Sequence, residues 1–130
     1  MNSRHRRKGG RFMGMDVLFL STIGSRTGRR RETPVAWFPD GEDAWLIVAS
    51  AAGSARNPDW YHNIATHPDQ VWIELPQQRT LRVTPEQLDG TRRQQAWKHI
   101  IQAQPRYAKY QEQTDRLLPV LRLVPASTQP

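Results

Sequence analysis

The densest chemistry in the sequence is a run of cations. SRTGRRRETP, from Ser25 to Pro34, carries Arg26, Arg29, Arg30 and Arg31 within one short stretch. A guanidinium presents its N–H donors as a planar fork that matches the oxygens of a phosphate or carboxylate. Amides around Gly24 and Gly28 can also approach an oxyanion closely, because glycine has no Cβ to hold it off. On these residues alone three uses stay open: a solvated face, a grip on nucleic-acid phosphates, or a seat for a multiply anionic small molecule. Trp60, Asn63, Ile64 and His67 lie three and four apart, so a helix would put them on one face. A ring and an amide placed so can flank a planar ligand; a core tryptophan with a surface amide has the same spacing. Tyr107 and Tyr110, three apart near the C-terminus, can wall a pocket or close the rim of a core.

Side chains that do chemistry unaided are sparse. His5, His62, His67 and His99 show no metal-ligand spacing, since His62 and His67 are five apart and not the four that stacks ligands on a helix. They read as structural or surface histidines. The sequence holds no nucleophile elbow, P-loop or dinucleotide fingerprint, and the serines of ASAAGS lack an evident base. The lack of cysteine excludes a disulfide framework and thiolate metal sites. An enzyme of this composition needs a bound cofactor to carry the reaction, with the protein orienting it.

At 130 residues the chain fits one domain with a substantial core. Lys and Arg outnumber Asp and Glu by 19 to 12, for a formal charge of +7, which favours polyanions without saying which. The positive charge gathers at Arg4 to Arg11 and again at Arg26 to Arg31. The first run has almost nothing apolar to pack and reads as a flexible arm, residues 1–15. A cofactor-binding domain at 16–126 and a frayed tail at 127–130 follow. No apolar stretch approaches the roughly 20 residues of a membrane-spanning helix. No apolar segment of a secretory signal follows the basic start, so a cytoplasmic protein is expected.

The elements that must hold these groups are legible from pattern. DVLFLST, TPVAWF and AWLIVAS read as strands, the first too continuously apolar to be exposed. Gly24 and Gly28 allow a tight connection, and PDGED is a hairpin turn. NPDWYHNIATHP reads as a short helix capped by Asn57, opened by Pro58 and stopped at Pro68. QVWIEL and RTLRVTP form a strand pair around PQQ. Asp89 caps a helix through Ala103 with Trp97, Ile100 and Ile101 as its stripe. Beyond Pro105, RYAKYQEQTDR reads as a further helical segment and PVLRLV as the last strand. The order βββαββααβ, joined by hairpins, predicts an α+β fold: an antiparallel barrel or curled sheet with helices packed against it.

Three blocks carry a family resemblance: LSTIGSRTGRRRETP, VASAAGSARNPDWYHNIATHPD and PRYAKYQEQTDRLLPVLRLVP. In order and spacing they resemble the deazaflavin-dependent nitroreductase and quinone reductase family, over nearly the whole chain from about Asp16 to Pro125. The NPxWYxN helix start and the YxxYQxxTDRxxPV ending are the most specific parts. The resemblance implies a split β-barrel similar to FMN-binding pyridoxamine-phosphate-oxidase-like folds. It also implies coenzyme F420, an 8-hydroxy-5-deazaflavin with a phosphate and glutamate carboxylates on its tail; FMN is the alternative. By the family pattern Arg26, Thr27 and Arg31 bind the phosphate and tail. Pro34, Ala49 and Ser50 line the site along the strands, and Trp60 and Asn63 lie beside the cofactor. Arg29 and Arg30 receive no specific role. The implied reaction passes a hydride from the reduced deazaflavin to a small-molecule electron acceptor, a quinone, nitroaromatic or activated enone. Ser50 is expected to hydrogen-bond the acceptor, and Tyr107 and Tyr110 to shape its pocket.

The chain departs from the family where Ser25 precedes Arg26, and at Ala51, Ala36 and Gln104, where a basic pair, a lysine and two tyrosines are common. The lost tyrosines leave the acceptor pocket more open or more polar, and the lost cations bear on affinity for the tail. No nucleic-acid partner is expected. The basic arm is a candidate for peripheral contact with anionic lipid, and the protein for a monomer or homodimer.

Overall fold

The computed structural model describes residues 11–12, 14–76, 78 and 80–126. Most of the basic arm, His5 and the tail therefore lie outside the described residues, as does part of the PQQ turn. A short strand β1 (Arg11–Phe12) turns back onto β2 (Met15–Ile23), pairing Arg11 with Asp16. The sheet thus takes in residues that the sequence assigns to the arm. β2 is buried from Val17 through Thr22, in accord with its unbroken apolar run. It pairs with β3 (Arg30–Ala36) in a hairpin whose register sets Thr22 opposite Arg31 and Phe19 opposite Pro34.

TPVAWF does not stay one strand. It breaks at Trp37, whose amide donates to the Asp16 carbonyl at 3.0 Å. The chain then continues as β4 (Phe38–Pro39), which pairs with β5 (Trp45–Val48) instead of β2. The break is where the chain changes partner and the sheet curls. PDGED makes the expected turn between β4 and β5, with Gly41 at φ +76° and the Asp40 amide bonded to the Ala44 carbonyl.

A single 3-10 turn (Ala51–Gly53) leads to helix α1 (Asp59–Thr66). Strands β6 (Trp72–Glu74) and β7 (Thr80–Gln87), helices α2 (Gly90–Ala103) and α3 (Arg106–Glu112), and strand β8 (Val120–Pro125) complete the described chain. All strand pairs are antiparallel, in the order β1-β2-β6-β7-β8-β5-β4 with β3 also on β2. The architecture is the expected α+β one, a curled antiparallel sheet with helices against it. α1 starts without the expected cap: its N-cap is Pro58, and no side chain bonds the first turn. Nor does the Asp89 side chain cap its helix, although the residue stands at the N-cap of α2. TDR is not helical, because α3 ends at Glu112.

Strand alternation divides the interior in two. Ile47, Leu121 and Leu123 point into a barrel core with Leu18, Leu20, Val71, Ile73 and Val83, which α1 closes with Trp60 and Ile64. From the same strands Leu46, Val48 and Val120 point the other way, into a second core with Phe38, Leu88, Ile100 and Tyr107. α2 and α3 therefore cover the outer face of β5 and β8, while α1 plugs the barrel beside the β2–β3 loop. Among the described residues no helix is long and apolar enough to cross a membrane.

Candidate functional site

The loop between β2 and β3 is closed on itself. The Gly24 amide donates to the Arg29 carbonyl at 2.7 Å, the Gly28 amide returns to the Gly24 carbonyl at 2.9 Å, and Thr27 Oγ1 accepts from the Arg29 amide at 3.1 Å. Two glycines are required. Gly28 sits at φ +72°, and a Cβ on Gly24 would stand 2.6 Å from Thr27 Oγ1. With the backbone folded inward, the guanidinium groups of Arg26, Arg29, Arg30 and Arg31 remain exposed.

α1 fixes that loop through one side chain. Asn63 is 6 % exposed. Its Oδ1 accepts from the Ser25 amide at 2.9 Å, and its Nδ2 donates to Thr22 Oγ1 at 3.1 Å. Because Thr22 is the cross-strand partner of Arg31, that bond also fixes α1 against the start of the cationic strand. Arg30 is steadied from another side, its guanidinium lying 4.4 Å from the centre of the Trp72 ring.

Between this loop, β3 and α1 opens a cleft of about 1120 Å³. Gly24, Ser25, Arg26, Thr27, Arg30 and Arg31 form one wall, and Asp59, Trp60, His62 and Asn63 belong to the other. Arg56 adds a fourth guanidinium from the segment before α1. Trp60 is both things the spacing allowed: a core residue at 8 % exposure and part of the cleft wall. Among the described residues no group of three acidic or histidine side chains could hold a metal.

The sequence model of the F420H(2)-dependent quinone reductases matches residues 1–125. The chain belongs to that family. It is 36 % identical over 107 residues to an F420H(2)-dependent quinone reductase of Mycobacterium tuberculosis, covering 82 % of this chain and 71 % of the relative. A solved F420-H2 dependent reductase superposes with TM-score 0.72 at 31 % identity, over 82 % of this chain and 92 % of the other. At 10 % identity, a solved pyridoxamine 5'-phosphate oxidase-like protein of Listeria innocua shares the fold alone (TM-score 0.56, 85 % and 84 % coverage). Together these make the curled sheet a split β-barrel.

In this reductase the cleft gathers Arg26, Thr27, Arg31, Trp60 and Asn63, but not all the residues expected at the site. Pro34 is exposed on β3 and lies outside the lining, next to Thr33, which is in it. Ala49 is wholly buried in the barrel core. Ser50 precedes the 3-10 turn and also lies outside the lining.

The tyrosines are placed differently from the expected pocket wall. Tyr107 is buried in the second core, edge-on to Phe38 at 5.6 Å and to Tyr110 at 5.3 Å, with its hydroxyl donating to Met15 Sδ at 3.7 Å. Burial, and then the neighbouring Tyr110, push its phenol up to about 12. The Tyr110 carbonyl lies close enough to Gly53 to leave no room for a Cβ. Tyr110 thus backs the turn after Ser50 through its carbonyl. One-face spacing was compatible with core or pocket; Tyr107 lies in the core, and Tyr110 is half-buried at its edge.

Two arginines carry no role in the sequence reading yet matter in space. Arg56 reaches the cleft because α1 begins just after it. Arg116, in the YxxYQxxTDRxxPV block, reaches back to residues 49–57. Nothing local marked it, because Glu112 four residues before it and Asp115 beside it are ordinary company for a solvated arginine.

Proposed function

We propose that the cleft between the β2–β3 loop and α1 is the cofactor seat of an F420-dependent reductase, and that Arg26, Arg30, Arg31 and Arg56 hold the cofactor's anionic tail. The family reaction is the transfer of a hydride from reduced F420 to a quinone-type acceptor. The observation that carries the residue assignment is the convergence of four guanidiniums on one cleft, three from the β2–β3 hairpin and one from the segment before α1.

The donor set suits the group. A tail with one phosphate and several carboxylates needs several cations, and each bidentate arginine contact is a charge-assisted hydrogen bond. The cleft exceeds the roughly 300–1,000 Å³ of ordinary small-ligand pockets, as an extended ligand requires. FMN, with a single phosphate, would leave most of these arginines unused.

When bound, the cofactor supplies the hydride; the chain's residues bind, orient and shield. Arg26, Arg30 and Arg31 anchor the tail from the hairpin, Arg30 with its guanidinium stacked on Trp72. Thr27 Oγ1 is engaged in holding the loop shape. Trp60 offers an apolar wall for a planar ring and keeps water from one side of it. Remote binding energy from the tail thereby fixes the reacting end. Ser50, two residues beyond β5 and outside the cleft lining, is the group we assign to the quinone oxygen, with the Tyr110 carbonyl packed against the turn that follows it.

The test is steady-state oxidation of reduced F420 with menadione as acceptor, beside the same assay with reduced FMN. Turnover with the deazaflavin that falls at least about tenfold in Arg26→Ala and Arg31→Ala at sub-saturating cofactor supports the assignment. Unchanged kcat/KM in both variants would remove it.

A further inference from the structure

We infer that Arg116 is a positioning residue of this reductase: its guanidinium clamps residues 49–57 and so sets where α1 presents its wall of the cleft. The inference rests on the reading of the cleft given above. Four bonds carry it. Nε donates to the Ser54 carbonyl at 2.9 Å, Nη1 to the Ala49 carbonyl at 3.1 Å and to Asn57 Oδ1 at 2.6 Å, and Nη2 to the Ser50 carbonyl at 2.9 Å.

Every one of those acceptors is a neutral oxygen. Ion pairing is therefore not what places Arg116 here; its planar fork is matched to four acceptors spread over one segment. A lysine, donating from a single point, cannot span them. The segment needs such a clamp. Ala51 and Ala52 lie at φ 46° and 54°, a left-handed region that residues with a Cβ disfavour. Gly53 follows at φ +84°, packed against the Tyr110 carbonyl. Arg116 is itself held, because Gln111 Nε2 donates to its carbonyl at 2.7 Å and Gln111 Oε1 accepts from the Leu118 amide at 3.0 Å.

The geometry joins this clamp to the reaction at both ends. At one end, the carbonyls of Ala49 and Ser50 are both engaged, which fixes the backbone from which the Ser50 hydroxyl projects. At the other, Asn57 stands directly before the Pro58 cap of α1, and α1 brings Asp59, Trp60, His62 and Asn63 to the cleft. Asn57 thus spends its side chain on Arg116 and not on capping its own helix. Arg26, Arg30 and Arg31 lie outside the clamp, and only Arg56 among the tail arginines lies within it. Loss of Arg116 should therefore disturb orientation of the reacting end more than capture of the tail.

The experiment compares Arg116→Ala, Arg116→Lys and Asn57→Ala with the wild type. For each it measures the dissociation constant for oxidised F420 by fluorescence titration, kcat and KM for menadione with reduced F420, and hydrogen exchange over residues 50–57. The expected result is a fall in kcat of about tenfold or more in Arg116→Ala, since small misplacements of a reacting pair are costly. A smaller fall is expected in Arg116→Lys and Asn57→Ala, with faster exchange in the segment. The F420 dissociation constant should move by less than about threefold, as for largely separate sites, because only Arg56 of the four tail arginines lies in the clamped segment. Wild-type kcat in Arg116→Lys and Asn57→Ala overturns the inference, and so does a loss of F420 affinity that parallels the loss of kcat. Should Arg116→Ala fail to fold, those two milder variants decide by the same split. A wild-type protein that neither binds F420 nor reduces menadione overturns the cleft reading, and this inference with it.

Discussion

Asn63 joins three parts of the molecule with one amide group: helix α1, strand β2 at Thr22, and the cationic loop at Ser25. Its two partners are 38 and 41 residues away in sequence. The helical spacing of Trp60 and Asn63 put both on one face but left open whether that face meets a ligand or the core, and it held none of the bonds Asn63 makes. Asn63→Ala leaves a buried Thr22 hydroxyl and the Ser25 amide without their partner, so it should lower stability by about 1–3 kcal/mol. Urea unfolding measures this, and an unchanged midpoint would contradict the bracket. Asn63→Ala should also weaken F420 binding, because the loop that presents Arg26 and Arg31 loses its fixture. For the arginines themselves, Arg26→Ala and Arg31→Ala are each expected to raise the F420 dissociation constant roughly 10- to 100-fold, as loss of a charge-assisted contact does. Lys109→Ala, which removes an exposed cation outside the cleft, should stay within about twofold. Equal effects at Lys109 and Arg31 would mean that only total charge matters.

At the scale of elements, local grammar was read well and partner choice was not. Continuous apolar runs in β2 and β5 and the PDGED turn follow from the sequence because their signals lie within a few residues. TPVAWF split at Trp37 because β3 and β4 pair with different strands, a fact of the sheet's curl that no local window holds. Asn57 looked like a helix cap until Arg116, 59 residues on, proved to hold its side chain. The left-handed alanines of the turn at Ala51–Gly53 are not a preference that any propensity reveals. Gly53 is the residue there that chemistry demands. Gly53→Ala adds a Cβ at φ +84° against the Tyr110 carbonyl and Gln113, and should cost at least about 1–2 kcal/mol for the backbone conformation alone. Thermal or urea unfolding checks it; a neutral effect would show that the turn can relax. Gly41→Ala, where a Cβ meets open space, separates conformational strain from crowding.

Across the whole molecule the two cores divide the labour. The barrel core carries α1 and hence one wall of the cleft, while the second core carries the tyrosines and the C-terminal block that clamps the loop before α1. The second core is also pH-sensitive at its alkaline edge. Tyr107 titrates near 12 in the fold against 10.0 ordinarily, chiefly through burial. The folded state therefore favours the neutral phenol. That contribution is complete below about pH 10 and is lost as pH climbs through about 12. Urea midpoints should fall across that window, and less so in Tyr107→Phe; a parallel fall in both proteins would assign the loss to other groups. The account as a whole stands on a cationic cleft that recognises an anionic tail and, through it, orients a flat redox ring. Its most direct test is an equilibrium titration of the protein with F420 beside the same deazaflavin lacking phosphate and glutamates, at low and high salt. F420 should bind saturably and more weakly as salt screens the arginines, and the tail-less ring should bind at least about tenfold more weakly at low salt. Equal affinity for the two ligands at low salt, or no saturable binding of F420, would contradict it.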